Sequence, residues 1–260
     1  MTYETFKLEM WEFVIKSIKS PKHLARYAKH KDKNVRALVG ENIHACGDTL
    51  IRLSKDTEKV VLYAVAGNPS APENVLVKFY EMQSVHMMRR LSKNRSLPYK
   101  YLKELSNHKD YMVRRGVAEN QSATPDILEH LASDINAYVR MSVAANPNTP
   151  AYVLAYLAND ANDSVRLRVA HNENTEYDVH KKLFKDRDTG VKETAIRMAK
   201  LTETDARNLA KSQEWLVQVA LAGNPYIPED MAKKYSKSYD TYIHRAAQYA
   251  ARKRKEMQKK

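Results

Sequence analysis

The sequence predicts an all-α fold, a right-handed superhelical solenoid built from two-helix repeats of 26 residues. Three observations predict it: the 260 residues include only 6 Gly and 9 Pro, one asparagine recurs at a fixed interval, and apolar residues recur in step with it. So few glycines and prolines leave little material for the turns of a β-rich fold. A fixed period of this length is typical of a repeat array.

Asparagines 26 residues apart mark the repeat, and Met198 occupies the one broken step. The column consists of Asn42, Asn68, Asn94, Asn120, Asn146, Asn172 and Asn224. An apolar column lies three residues earlier: Val39, Val65, Leu91, Val117, Val143, Val169, Ala195 and Leu221. We expect the apolar column to be buried. We expect the asparagines to form turns, because asparagine tolerates left-handed backbone at a helix end.

Each repeat contains two short helices. Val139 and Val143 share one helical face, and Val153 and Leu157 share another. The prolines fall between these helices or at the start of the second one, where Thr149 is placed to cap the helix. Helices of about ten residues are marginal alone, so we expect them to be stabilised by stacking on neighbouring repeats.

The repeats predict three segments along the chain. These are an N-terminal capping helix in residues 1–19, a repeat array in residues 20–250, and a frayed basic tail in residues 251–260. We expect one side of the capping helix to pack on the array through its apolar residues: Phe6, Met10, Phe13, Val14 and Ile18.

Composition narrows the class of partner. The 44 Lys and Arg outnumber the 31 Asp and Glu, and a net charge of +13 favours phosphate-rich or acidic partners. The single cysteine, Cys46, excludes an internal disulfide and any multi-cysteine metal site, and the histidines show no ligand spacing. We therefore expect no cofactor and no metal. Without a secretory or membrane-spanning apolar run, we expect a cytoplasmic monomer that does not bind membranes.

The segment from Val139-Arg140 through Leu157-Ala158-Asn159-Asp160, followed by Val165-Arg166, resembles the leucine-rich repeat variant and HEAT-like families. The resemblance covers residues 20–250 and implies a superhelix whose first helices line a concave surface. Members of these families bind proteins or nucleic acids, and one branch performs chemistry on DNA. The period here is longer than the usual leucine-rich variant unit, and the cysteine cluster of that family is absent.

A column of cations at the repeat period has two interpretations. It consists of Arg36, Arg114, Arg140, Arg166 and Lys192. Such a column could follow phosphates along a groove. Aspartates that lie six residues earlier, such as Asp160 before Arg166, favour instead a structural ladder similar to that of HEAT repeats.

Other cations on the first helices are candidates for a binding groove. We expect Arg89, Arg90 and Lys93 to lack an acidic partner, which would leave them free for phosphates. Trp215 could offer a flat surface to bases. The complete candidate nucleic-acid site is Arg89, Arg90, Lys93, Arg95, Arg115, Arg168, His171, Arg197 and Trp215.

These observations lead to three functional hypotheses. The first is a non-enzymatic scaffold that binds the backbone of DNA or RNA in a basic concave groove. The second is a protein-interaction scaffold for an acidic partner. The third is an alkylpurine DNA glycosylase similar to those built from HEAT-like repeats, although no catalytic residue or motif of that family can be placed on this sequence.

Overall fold

The chain is helical throughout its described part. The structure, a computed structural model, describes the backbone of residues 3–259 and the side chains of residues 8–259. Residues 3–259 contain 19 helices and no strand. The chain divides into two compact units, residues 1–131 and residues 132–260, and the two-helix repeat occurs in both. The predicted all-α solenoid of helical repeats is confirmed.

The helices of the first unit alternate between first and second helices of each repeat. They are α1 (Tyr3–Ser17), α2 (Pro21–Tyr27), α3 (Lys33–Glu41), α4 (Gly47–Leu53), α5 (Lys59–Gly67), α6 (Glu73–Glu81), α7 (Val85–Leu91), α8 (Tyr99–Leu105), α9 (Tyr111–Glu119) and α10 (Pro125–Ala132), whose last residue lies in the second unit.

The second unit continues the alternation. Its helices are α11 (Ala137–Ala145), α12 (Ala151–Leu157), α13 (Asp163–His171), α14 (Tyr177–Leu183), α15 (Thr189–Met198), α16 (Glu203–Leu209), α17 (Trp215–Ala222), α18 (Glu229–Ser236) and α19 (Thr241–Met257).

A polar side chain caps the start of most first helices. Asp110 shows the geometry, since its Oδ1 accepts hydrogen bonds from the backbone nitrogens of Met112 (2.9 Å) and Val113 (3.3 Å). Equivalent caps are made by Asp32, Asn136, Asn162, Asp188 and Asp240. The caps fix where each repeat begins, because they satisfy N–H groups that have no partner inside the helix.

Prolines open several second helices, as the sequence predicts. Pro72 and Pro150 are the residues immediately before α6 and α12, and Pro125 is the first residue of α10. The predicted cap by Thr149 is wrong. Its hydroxyl is buried and donates to the backbone oxygen of Val143 (2.5 Å), a carbonyl near the end of the preceding helix.

The first helices stack on one another within each unit. In the first unit α3, α5, α7 and α9 are packed in series, and in the second unit α11, α13, α15, α17 and α19 are packed in series. Second helices pack against the first helix that follows them, as α4 does on α5 and α14 on α15. The predicted apolar column is buried at all eight positions, so it forms the core of each unit.

The repeat asparagines fasten each repeat to the previous one. Asn68 is buried, and its Nδ2 donates to the backbone oxygens of Gly40 (2.7 Å) and Asn42 (2.9 Å). Equivalent donations come from Asn42, Asn94, Asn120, Asn172 and Asn224. The backbone of Asn68 is extended (φ −79°, ψ 122°), so the predicted left-handed turn is wrong. The asparagine is structural, and we call this contact the asparagine clamp.

The repeat around Met198 keeps the period by another route. Helix α15 has 10 residues where α13 has 9, and Asn224 accordingly donates to the backbone oxygen of Ala199 (2.7 Å). The oxygen of Ala170, which the pattern assigns to an asparagine at position 198, is instead 3.0 Å from Nε2 of His180. Burial lowers the pKa of His180, so its imidazole is neutral and can donate from Nε2.

An arginine ladder also joins successive repeats. Nε and Nη2 of Arg166 lie 2.7 and 2.8 Å from the two carboxylate oxygens of Asp186, and Nη1 donates to the backbone oxygen of Asp160 (2.8 Å). Both charged side chains are buried. The same fork joins Arg36 to Asp56 and Arg140 to Asp160. The structural interpretation of this column is confirmed, because a buried bidentate pair leaves no cation free for phosphate.

The ladder joins different partners from those we expected. The carboxylate of Asp160 binds Arg140 (2.6 and 2.9 Å), 20 residues before it, rather than Arg166. Burial raises the pKa of Asp160, but the hydrogen bonds from Arg140 and from the backbone of Asn162 outweigh it and lower the pKa below its ordinary value. Lys192 departs from the ladder and pairs with exposed Glu214 (2.9 Å).

The N-terminal segment forms α1, which packs on α3. Ile15 is its fully buried residue, whereas Met10 and Phe13 are exposed, so their predicted packing role is wrong. Residues 1–2 and the side chain of Phe6 lie outside the described residues.

The basic C-terminal segment is helical through Met257, so the predicted fraying is wrong for residues 251–257. Arg254 donates to the backbone oxygens of Pro225 (2.7 Å) and Ile227 (2.6 Å) and holds this end on the last repeat. Lys260 lies outside the described residues. No helix in the described chain has the length and apolar character needed to cross a membrane.

Candidate functional site

The candidate cations of α7 and α9 are mostly engaged in ion pairs. Nη2 of Arg89 lies 2.5 Å from Oδ2 of Asp110, and this hydrogen bond is the main cause that lowers the pKa of Asp110. Lys93 and Arg115 both bind Glu119, at 2.8 and 2.7 Å. The expectation that Arg89 and Lys93 lack an acidic partner is therefore wrong.

The candidate cations of the second unit lie close together around the end of α13. Arg197 pairs with Glu193 on its own helix, whereas Arg168 makes no ion pair with any described residue. Burial lowers the pKa of His171, and the positive charges of Arg168 and Arg197 lower it further. His171 is therefore neutral at pH 7, and Arg168 is the free cation of this group.

Arg90 and Arg95 complete the cationic part of the candidate site. Both are exposed, and neither side chain makes a hydrogen bond or ion pair within the described part of the chain. The first-helix surface thus retains separate free arginines rather than the continuous cationic groove that the sequence predicts.

Trp215 both packs and remains accessible. It is the first residue of α17, its Nε1–H donates to Oδ2 of Asp240 (2.8 Å), and its ring meets that of Tyr242 edge to face. The side chain is still 45% exposed.

The densest free cations lie on the second helices, where sequence reasoning did not place them. Arg26 on α2, Arg52 on α4 and Lys78 on α6 are 26 residues apart, and all three are exposed. Within the described residues none of them makes an ion pair or a side-chain hydrogen bond. We call these three residues the cation column. Their period was the signal that could have revealed them.

Further free cations flank the cation column. Lys29 and Lys55, which follow Arg26 and Arg52 by three residues, are exposed and make no ion pair with a described residue. Arg26, Lys29 and Arg52 line a groove of about 540 Å³ between α2 and α4, in which Asp48 is the one carboxylate. This groove is therefore strongly cationic.

A helix-spacing contact holds the second helices of this unit close together. Gly47, the first residue of α4, approaches Pro72 so closely that a Cβ on it would lie 3.3 Å from the proline Cγ. Tyr80 on α6 donates its hydroxyl to Glu104 on α8 (2.6 Å). Neighbouring second helices are thus fixed side by side, and they hold the cation column in one row.

A second groove lies beside α1 and α2. It has a volume of about 890 Å³ and an apolar floor that includes Phe13, Val14 and Tyr27. Arg26 and Lys29 lie at its edge, and none of the described residues that line it is acidic. Phe13 is 78% exposed. This groove combines apolar surface with positive charge.

Among the described residues no group of three or more His, Cys, Asp or Glu is arranged to hold a metal ion. Cys46 is exposed, and its Sγ lies 3.2 Å from Oγ1 of Thr49. That hydrogen bond is the main cause that lowers the pKa of the thiol. The site is therefore defined by charge and shape.

Comparison with known proteins places the fold. No protein-family description and no curated protein matches the chain. A solved leucine-rich repeat variant with a novel repetitive structural motif is 24% identical, with a TM-score of 0.53, over 78% of this chain and 81% of that one.

Other solved structures that resemble the chain are engineered proteins. One engineered protein is 13% identical with a TM-score of 0.37, over 95% of this chain and 94% of that one. A designed armadillo repeat protein in complex with a (KR)4 peptide is 14% identical with a TM-score of 0.22, over 95% and 99%. The resemblance to the leucine-rich repeat variant is confirmed at the level of fold.

Proposed function

We propose that the protein is a non-enzymatic repeat scaffold that binds the backbone of a nucleic acid. The observation that carries this proposal is the cation column of Arg26, Arg52 and Lys78, which is exposed and has no carboxylate partner among the described residues. Arg90, Arg95 and Arg168 are further free cations on the first helices. Lysine and arginine bind phosphates without distinguishing bases, so this surface suits a backbone rather than a sequence.

The spacing of the cation column supports a polymeric ligand. Packed helices lie roughly 10 Å apart, so consecutive repeats present one cation at about that interval. A small anion would contact one such cation, whereas a polyphosphate can contact all three and release a counterion at each. The paired arginines of the ladder cannot contribute in this way, because their guanidinium groups are already bound by carboxylates.

Neutralising the cation column tests the proposal. The variant Arg26→Gln/Arg52→Gln/Lys78→Gln should bind duplex and single-stranded DNA and RNA more weakly. The slope of log K against log salt should fall by roughly 2 to 3, because each lost phosphate contact removes about 0.7 to 0.9 from that slope. Fluorescence anisotropy at several salt concentrations measures both quantities.

A matched variant controls for net charge. Lys59→Gln/Lys109→Gln/Lys234→Gln removes the same three charges from exposed, unpaired positions on separate helices and loops. It should keep most of the affinity and slope. Equal losses in both variants would show that net charge alone drives binding, and no binding by the unmodified chain at low salt would refute the proposed function.

The groove beside α1 and α2 favours a second candidate function, the docking of an acidic protein segment. Its aliphatic and aromatic floor suits an apolar side chain, and its edge of Arg26 and Lys29 suits carboxylates. Phe13→Ala should weaken capture of an acidic amphipathic peptide and leave nucleic-acid affinity unchanged, because Phe13 carries no charge. Unchanged peptide affinity in this variant would contradict the second candidate.

A further inference from the structure

An exposed aromatic cluster lies at one edge of the second unit. Trp215 opens α17, and Tyr239 and Tyr242 lie on either side of the start of α19. Trp215 is 45% exposed, Tyr242 is 63% exposed, and Tyr239 is fully exposed. Clustered exposed aromatic residues are uncommon on a protein surface that has no binding role.

Hydrogen bonds fix the orientation of this cluster. Nε1 of Trp215 donates to Oδ2 of Asp240 (2.8 Å), while Oδ1 of the same carboxylate caps α19 by accepting from the backbone nitrogens of Tyr242 (2.9 Å) and Ile243 (3.0 Å). The Trp215 and Tyr242 rings meet edge to face, with centroids 5.5 Å apart at an interplanar angle of 82°. The aromatic cluster is therefore preorganised, and binding would cost little side-chain ordering.

The charge around the cluster is positive. Lys211 and Lys237 lie in the loops before α17 and α19, and Arg245 lies on α19 shortly after Tyr242. All three are exposed, and none makes an ion pair with a described residue, although Nζ of Lys211 donates to Asn208 (3.2 Å).

The carboxylates of this edge are already engaged. Glu214 accepts from Nζ of Lys192 (2.9 Å), and Asp240 is occupied by Trp215 and the helix cap. Lys211 and Lys237 stand 26 residues apart, at the repeat position that Lys29 and Lys55 occupy in the first unit. Free cations thus flank an aromatic surface whose neighbouring carboxylates have partners.

We propose that Trp215, Tyr239 and Tyr242 form a stacking platform for unpaired bases, so that the ligand class is single-stranded nucleic acid. This inference rests on the proposed function and narrows it. Exposed aromatic rings stack on bases of any sequence, and flanking lysines bind the adjoining phosphates. A duplex keeps its bases stacked inside and offers the platform little surface, whereas a single strand exposes every base.

Tryptophan fluorescence can report on this platform alone. The chain has 2 Trp, so the full-length variant Trp11→Phe leaves Trp215 as the only one. Oligo(dT) should quench and shift the Trp215 emission on binding. A duplex with the same number of phosphates should bind with little quenching, because its bases are not available for stacking.

Two outcomes separate the platform from the proposed function. Binding of oligo(dT) that is seen by anisotropy but leaves Trp215 emission unchanged overturns the platform and leaves backbone binding intact. Absence of binding to either nucleic acid at low salt overturns both.

A second variant avoids any dependence on the packing of Trp215. Tyr239→Ala removes a fully exposed ring and should weaken oligo(dT) binding by about tenfold, with a much smaller effect on the duplex. Tyr156→Ala is the matched control, because Tyr156 is an exposed tyrosine on α12 of the same unit. Equal affinity losses in Tyr239→Ala and Tyr156→Ala, or equal losses for single strand and duplex, would overturn the stacking platform.

Discussion

Each repeat asparagine uses a short side chain to satisfy carbonyl groups of another repeat. Asn94 is buried, and its Nδ2 lies 2.8 Å from the backbone oxygen of Ala66 and 2.9 Å from that of Asn68. Its Oδ1 also accepts the backbone N–H of Ser96 (2.8 Å). One amide group thus orders its own loop and the end of the preceding first helix.

Removing one asparagine clamp should destabilise the protein markedly. We expect Asn94→Ala to lower the free energy of unfolding by about 2–4 kcal/mol, because buried carbonyls lose a donor and water cannot easily replace it. Urea denaturation measures the change. Asn74→Ala, at an exposed position on α6, should change stability by no more than about 0.5 kcal/mol. Similar small losses in both variants would contradict the clamp.

The sequence predicts that the asparagine is structural, but not how. The predicted mechanism, a left-handed backbone, follows from what asparagine does locally in many turns. Contact with carbonyls 26 and 28 residues earlier depends on how repeats are stacked, and no local propensity encodes it. The same reason explains why Thr149 was assigned to a cap instead of to the oxygen of Val143.

At the scale of helices, the arginine ladder joins the start of one repeat to the start of the next. Arg140 binds Asp160 through two parallel hydrogen bonds, and Asp160 also accepts the backbone N–H of Asn162 (2.9 Å). The carboxylate thereby orders the loop before α13 while it holds α11. An aspartate six residues before an arginine is a correct sequence signal for this ladder, but that arginine is not its side-chain partner.

A double-mutant cycle can identify the partner. Alanine substitutions at Asp160 and Arg140 should show a coupling energy of about 1–3 kcal/mol, because each removes the same pair of hydrogen bonds. Coupling between Asp160 and Arg166 should be below about 0.5 kcal/mol, since Arg166 contacts only the backbone oxygen of Asp160. The free energies of unfolding of the single and double variants give both values. Stronger coupling to Arg166 would restore the partner that the sequence suggested.

At the scale of the whole molecule, the excess positive charge is concentrated where carboxylates are few. The net charge of +13 is carried largely by exposed residues such as Arg26, Arg52 and Lys78, whereas the ladder arginines are neutralised. Composition therefore predicts the sign of the partner correctly as a hypothesis but cannot locate the surface. Which cations are free depends on carboxylates that folding brings near, as Asp110 is brought to Arg89.

This charge distribution predicts a salt effect on stability. Raising the salt concentration from about 0.01 to about 0.15 M should raise the urea midpoint, because the Debye length falls from about 30 to about 8 Å and repulsion between free cations is screened. Exposed ion pairs weaken at the same time, but each contributes only about 0–1 kcal/mol. Arg26→Gln/Arg52→Gln/Lys78→Gln should show a smaller gain. A midpoint that falls with salt would mean that ion pairs outweigh repulsion.

The asparagine clamp also constrains how such a chain can change its length in evolution. Because each amide reaches carbonyls in the preceding repeat, an inserted residue would displace every contact of that repeat unless another residue were lost nearby. Helix α15 shows such an exchange, since it is one residue longer than α13 and yet Asn224 stays two whole periods after Asn172. A copied segment of 26 residues, in contrast, brings its own asparagine and its own carbonyls. Lineages of this protein can therefore grow or shrink by whole repeats far more readily than by single residues.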